Sequence, residues 1–426
     1  MRRITLMLAA IAVVAAILPA GAAPGLPGQA AGALASDNVE FVANIPVDGA
    51  IGARILGETM YVTGATGLQI FDVSLGVPVP VAALPLPHFE NEDVDTNGDV
   101  LLISADSAFS FPEVRMYVID VAPKAAGVIA PVLLSTLQVP EGHTVSCINE
   151  CSYAGLAGSS TVFVVDLRDP SNAKVVGSFR PSIGGTHDVQ VDEAGVAWIV
   201  GGGGIAGYTT EDPLNPTLVV RQNGSFHNDF ILHNSWRPNA TAMDPEKLSD
   251  GIVDPGELVL VTEEDWLSLQ NGFCGSEGQF QTGHFRERSD GSLTVEKLDA
   301  ISLGNLTDGT GKPVGGTCSS HYFDHRSDGI VAVAWYEQGT RFIDVSDPYD
   351  IRQVGYFMPA VTATWNVKFH GEYIYTIDVA RGIDVLRFTG ETGDPEVLAP
   401  TFNEPPVVLT RPSEDWGYLC KIPVAA

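Results

Sequence analysis

From residue 38 onward, apolar and polar positions alternate with a period of two over short runs, the pattern of strands that bury one face. The stretches EDVDTNGDVLLISA (92–105), HDVQVDEAGVAWIVGG (187–202) and NVKFHGEYIYTIDVARGIDVLRF (366–388) each contain such runs, separated by turns built on Gly, Asn or Asp. The runs also repeat in a larger unit. TRFIDVSDPYDIRQVGYF (340–357) has relatives in VFVVDLRDPSNAKVVGSF (162–179) and LQIFDVSLGVPVPVAAL (68–84), with weaker copies at 116–137 and 206–220. Each copy is a β-rich strand, commonly ending in Asp, then a turn and a second alternating strand, and another pair of short strands precedes it. Four strands per unit, at roughly 40 to 50 residues per unit, predict the blade of a β-propeller.

The predicted fold is all-β: a seven-bladed β-propeller of four-stranded antiparallel blades. The units fall near 48–87, 88–140, 141–183, 184–225, 226–315, 316–360 and 361–389. The last supplies only three strands, and NVEFVANIPV (38–47) matches the missing fourth, so an N-terminal strand is expected to close the ring and remove its open edges. The domain organisation is then a signal peptide and linker (1–35), one propeller domain (36–389) and a Pro-rich C-terminal tail packed on it (390–426). The fifth unit is swollen by inserts near 234–257 and 266–283, and loops of that length in a compact fold are usually functional or disordered.

The phrases FIDVSDP and VVDLRDP resemble the LVIVD repeat family, whose members are exported bacterial and archaeal proteins. The resemblance spans most of residues 38–389 and implies a propeller; the repeat motif carries no chemistry of its own. Units four and seven keep it poorly, and unit five hardly at all.

Aligning the units brings histidines into one register at the start of the first, channel-lining strand. These are His143 in EGHTVSC, His187 in GTHDVQVD, His227 in SFHNDFILHN and His321 in CSSHYFDH, while unit two offers His88, Glu90 and Glu92 at a similar place. The chain has nine histidines, so nearly half of them share one position. A repeat-wide polar cap on each strand would need no imidazole, whereas four converging imidazoles with carboxylates beside them are what copper, zinc or iron requires. Solvated channel histidines and metal-free acid/base chemistry stay open beside metal binding. Asp188, Asn228, Asp229 and Asp324 follow the histidines and are candidates to fix imidazole tautomers or to cap turns. His233 and His325 lie farther along their strands, His284 and His370 are assigned to blade surfaces, and Glu263, Glu264 and Asp265 are placed in a neighbouring layer of the same rim. A general likeness to the methanethiol oxidase (selenium-binding) propellers, confined to histidines near strand starts and the phrase DVSDP, implies copper as the favoured metal, with zinc or iron as alternatives.

Composition narrows the setting. The basic, then apolar, then small-residue start, MRRITLMLAAIAVVAAILPAGAAPG, predicts a secretory signal, hence a secreted, periplasmic or cell-surface protein. The formal charge of −29 disfavours nucleic acid and anionic lipid as partners. The expected partners are a small molecule or an extracellular protein or glycan, with no transmembrane segment and a monomeric state. In an oxidising compartment the cysteines predict disulfides; we pair Cys147 with Cys151 and Cys274 with Cys318, leaving Cys420. DVDTNGD (93–99) resembles the start of a calcium loop, but its twelfth position is Ser104 where a glutamate is needed, so a hairpin turn is preferred. GGGG (201–204) lacks the helix context of a nucleotide loop. The function expected is an exported propeller binding a transition metal in its channel, with redox or hydrolytic potential; the competing class is a non-catalytic interaction or scaffolding propeller.

Overall fold

The computed structural model of the chain describes residues 34–86, 93–106, 115–124, 127–223, 231–243, 253–254, 256–265, 274–276, 278–306 and 316–390. Among these, regular structure is β-strand throughout, apart from one-turn 3-10 segments at Pro170–Asn172 and Leu303–Asn305.

Three sheets are four-stranded meanders in chain order. They comprise Ala50–Leu56, Thr59–Gly64, Gly67–Asp72 and Val79–Pro85; then Val94–Thr96, Val100–Ser104, Met116–Asp120 and Val132–Leu137; then Thr144–Ile148, Tyr153–Ala157, Val162–Asp166 and Lys174–Phe179. An eight-stranded sheet consists of two such meanders, Asp188–Val191 to Leu218–Asn223 and Ile231–Trp236 to Leu293–Ile301, whose outer strands meet in a parallel bridge at Val220 and Leu293. The next meander, Phe323–His325 to Arg352–Met358, is edged by Leu34–Ala35. The last comprises Thr364–His370, Tyr373–Asp378 and Gly382–Phe388, and the strand Val39–Ile45 pairs antiparallel with its outer edge.

First strands of successive meanders lie against one another, while outer strands such as Val79–Pro85 and Lys174–Phe179 face outward and are largely exposed. The cores therefore sit between sheets. Met60, Val62 and Phe71 of the first meander pack on Tyr375, Ile377 and Val385 of the last, and Trp198 packs with Leu232, Val261 and Phe285 of its neighbour. Each third–fourth strand pair carries a register shift, at Ile70/Phe71, Leu133/Ser135, Val164/Val165, Gly207/Tyr208, Thr282/Gly283, Phe342/Ile343 and Phe41/Ala43. A bulge raises local twist, as a blade turning from the axis to the rim requires.

Polar side chains peg one first strand to the next. Asp93 Oδ2 accepts from the Val145 N–H (3.2 Å) and Asp95 Oδ2 from the Cys147 N–H (2.8 Å). Thr144 Oγ1 accepts from the Val189 N–H (3.1 Å), and Asp324 Oδ2 from the Phe369 N–H (2.8 Å). These bonds occupy the outward N–H groups of strands whose channel side has no ladder partner. DVDTNGD forms the hairpin between Val94–Thr96 and Val100–Ser104, and its Asn97 side chain accepts from the N–H groups of Asp99 and Val100.

Both cysteine pairs lie at disulfide distance, with Cα separations of 4.5 Å for Cys147–Cys151 and 5.1 Å for Cys274–Cys318. The expected inserts are shorter than drawn from sequence: Asn234–Trp236 belong to a first strand and Phe280–Gly283 to a third. No described helix is long and apolar enough to cross a membrane. Residues 1–33 and 391–426, which hold the expected signal peptide and nearly all of the tail, lie outside the described residues.

Candidate metal centre

The N–H groups of His143, His187 and His321 donate to Ala157, Val200 and Ala334 on the adjoining second strands, at 2.7, 2.7 and 2.9 Å. All three therefore sit at the same end of a first strand, the register read from sequence. A further imidazole in the row is that of His233; His227, the residue read from sequence, lies outside the described residues, as do Asn228, Asp229, His88, Glu90 and Glu92. His233 falls where the ladder of its strand shifts register between Leu232 and Asn234. An extra residue at a bulge re-aims its side chain.

The four rings form a contiguous row. Centroids lie 4.2 Å apart for His143–His187, 4.5 Å for His187–His233 and 3.7 Å for His233–His321. Glu264, at the end of the strand Val259–Glu264, joins them, and it is fully buried, as are His233 and His321. One ligand atom each from His187, His233 and Glu264 lie within 4.8 Å of one another. Three ligands on one ion with bonds of about 2.0–2.2 Å stand roughly 3.3–3.8 Å apart, so these atoms would draw together to hold one. The His143 and His187 Nε2 atoms are 3.2 Å apart, close to the roughly 3.3 Å between two nitrogens on a tetrahedral ion.

Tautomers follow from the acceptors. His143 Nδ1 lies 2.8 Å from Asp106 Oδ2, and His321 Nδ1 lies 2.7 Å from the carbonyl oxygen of Trp365. Both acceptors take a proton at Nδ1, which leaves Nε2 as the lone-pair atom facing the row. His321 Nε2 stands 3.9 Å from Glu264 Oε1, and the Tyr336 hydroxyl donates to that same oxygen. Burial, reinforced by neighbouring imidazoles, holds His187 and His233 well below the usual histidine range, and burial pulls His321 down to about 3. All three are neutral at pH 7, the state in which imidazole ligates.

A mostly aromatic cluster lies beside the row. Ile51, Tyr322, Tyr336 and Trp365 cluster there, and Tyr322, Tyr336 and Trp365 ring His321 at 4.8–5.0 Å. Tyr322 and Asn234 also line a cavity of about 260 Å³, shared with Arg54, Asp95, Glu193 and Lys368.

The other sequence candidates divide. Asp188 Oδ2 accepts from Asn234 Nδ2 (2.6 Å), and Asp324 serves as an inter-sheet peg, so the groups that orient imidazoles here are Asp106 and the Trp365 carbonyl. His284 lies 3.3 Å from Glu257, and His370 lies 3.0 Å from Glu58 at the surface. His325 lines the cavity rather than the row. Glu264 was legible only as part of the acidic run after LVLVT, and Asp106 carried no signal.

Four-stranded antiparallel sheets with their first strands gathered around an axis define a β-propeller, and solved structures agree. The WD40 β-propeller domain of Doa1 matches over 85% of this chain and 99% of that one, at 9% identity and a TM-score of 0.51. Sqt1 from Chaetomium thermophilum matches over 82% and 84%, at 14% identity and a TM-score of 0.52. A functionally unknown protein from Desulfotomaculum acetoxidans matches over 75% and 89%, at 15% identity and a TM-score of 0.50. At such identities the likeness is one of fold alone. No protein-family model matches the chain, and no curated protein matches it.

Proposed function

We propose that this chain is an exported, seven-bladed, LVIVD-type propeller that binds one transition metal ion, copper favoured over zinc or iron, through His143, His187, His233 and His321 with Glu264. The observation that carries the reading is the buried row of four imidazoles, from four successive first strands, closed by a buried carboxylate. Burying so many titratable groups is costly unless they are paired or ligate an ion. Imidazole-rich donor sets suit copper, zinc and iron, and copper stands highest in divalent affinity. The blade count is supported by the seven repeated register shifts and by the single bridge joining the halves of the eight-stranded sheet. Closure of the ring by an N-terminal strand is supported by the Val39–Ile45 pairing, and export by the two cysteine pairs at disulfide distance.

A bound ion of this kind supplies redox or Lewis-acid chemistry. The chain's own residues fix the tautomers of His143 and His321, donate the Tyr336 hydroxyl to Glu264 and wall off one side with aromatic rings. Elemental analysis tests the reading: about one copper, zinc or iron per chain in the purified protein, lost in a His187→Ala/His321→Ala variant. A protein without metal, even after reconstitution, would sink it.

The alternative is an interaction propeller, and one observation favours it: Val79, Val81, Val132 and Leu133 are exposed on outer strands. In that case alanine at the four histidines leaves partner binding unchanged.

A further inference from the structure

Among the described residues, Tyr336 is the one bulky aromatic with a positive φ, +40°. A left-handed backbone is unfavourable for a residue of this kind and persists only where its surroundings enforce it. The enforcement is visible. Tyr336 exchanges both backbone hydrogen bonds with Thr364 of the following sheet (3.1 and 3.0 Å), an isolated bridge outside the regular ladders. Held there, the side chain is buried, its ring stands edge-on to His321 and Trp365 at 5.0 and 4.9 Å, and its hydroxyl donates to Glu264 Oε1. The residue after Thr364 is Trp365, whose carbonyl fixes His321. One crossing between sheets therefore aims two ligand candidates at once.

We propose that Tyr336 is a positioning residue of the metal centre: its strained backbone delivers the phenol that holds the Glu264 carboxyl group turned toward His187 and His233. The inference rests on the metal reading above. A charge-assisted O–H···O⁻ bond is short, directional and stronger than a neutral one. Partners of this kind, behind the ligands, typically govern affinity by 10- to 100-fold.

The test compares wild type, Tyr336→Phe, Glu264→Gln and the double variant, each purified metal-free and titrated with copper(II), with affinity and the copper electron paramagnetic resonance spectrum as readouts. Tyr336→Phe keeps the ring packing. The expected result is an affinity about 10- to 100-fold weaker with a changed spectrum, and a double variant no weaker than Glu264→Gln alone, because both changes remove one interaction. A merely structural tyrosine would leave affinity and spectrum as in wild type, and that outcome overturns the proposal while the metal reading stands. Glu264→Asp is the second variant, needed if Tyr336→Phe does not fold. It keeps the charge but draws the carboxylate away from the phenol, and wild-type affinity in it also overturns the proposal. A wild-type chain that takes up no copper overturns both readings.

Discussion

The Nδ1–H of His321 donates to the carbonyl oxygen of Trp365, 2.7 Å away on the following sheet, and this bond fixes the imidazole with Nε2 toward Glu264. The ring is buried, and burial brings its pKa down to about 3 from an ordinary 6.5. The folded state therefore binds this proton less readily than the unfolded chain, so the contribution of His321 to stability is intact above pH 6.5 and is lost as pH falls toward 3. At pH 5 the loss is about 2 kcal/mol. Metal-free wild type should lose more stability between pH 7.5 and 5 than His321→Phe, as read from urea midpoints; parallel pH profiles would contradict this.

Asp378 should behave with the opposite sign. Its buried carboxyl accepts from the N–H groups of Ala363 and Ala380 and from Thr362, yet burial raises its pKa to about 6. The folded state holds the proton more tightly than the unfolded chain, so the stabilisation is present below about pH 4 and fades as pH rises to 6, by up to about 3 kcal/mol. Comparing Asp378→Asn with wild type across that window, the stability difference should shift in the variant's favour as pH rises. A constant difference would show that this carboxyl does not titrate there.

Arg237 and Asp192 form a fully buried ion pair at 2.8 Å, and Trp198 Nε1 donates to the same Asp192 oxygen at 2.8 Å. Replacing Asp192 with Ala strands a guanidinium and an indole N–H in a core. The expected loss is about 3–5 kcal/mol in chemical denaturation, whereas an exposed pair such as Arg352–Asp350 should change stability by less than about 1 kcal/mol.

The two disulfides should differ in worth. Cys274–Cys318 closes a loop with a sequence separation of 44 and Cys147–Cys151 one of 4. Loop-closure entropy assigns about 4 kcal/mol to the first and about 2 kcal/mol to the second. Paired serine substitutions, compared by denaturation midpoint, should rank in that order.

Much of this architecture is written locally. A period of two with Gly, Asn and Asp at turns specifies strands whatever surrounds them, and its recurrence specifies stacked four-stranded units, because a single unit cannot bury both faces alone. His143, His187 and His321 were legible for the same reason: equivalent positions in equivalent repeats meet at one end of the axis. Both expected cysteine pairs lie at disulfide distance, but only Cys147–Cys151 had a reason in the sequence, their closeness; connectivity between distant cysteines is not encoded in spacing.

Tertiary structure decided the rest. SFHNDFILHN contains the same His-Asn pair twice, six residues apart, and its spacing does not say that His233, at the register shift after Leu232, joins the row. Glu264 enters from a second strand and Asp106 from beyond one, so neither shares the histidines' register, and the Trp365 acceptor is a backbone carbonyl that no side-chain pattern encodes. Sequence fixes which face a side chain takes along its own strand. Which atoms meet across the axis depends on how neighbouring sheets twist and slip, and that is set by packing between them.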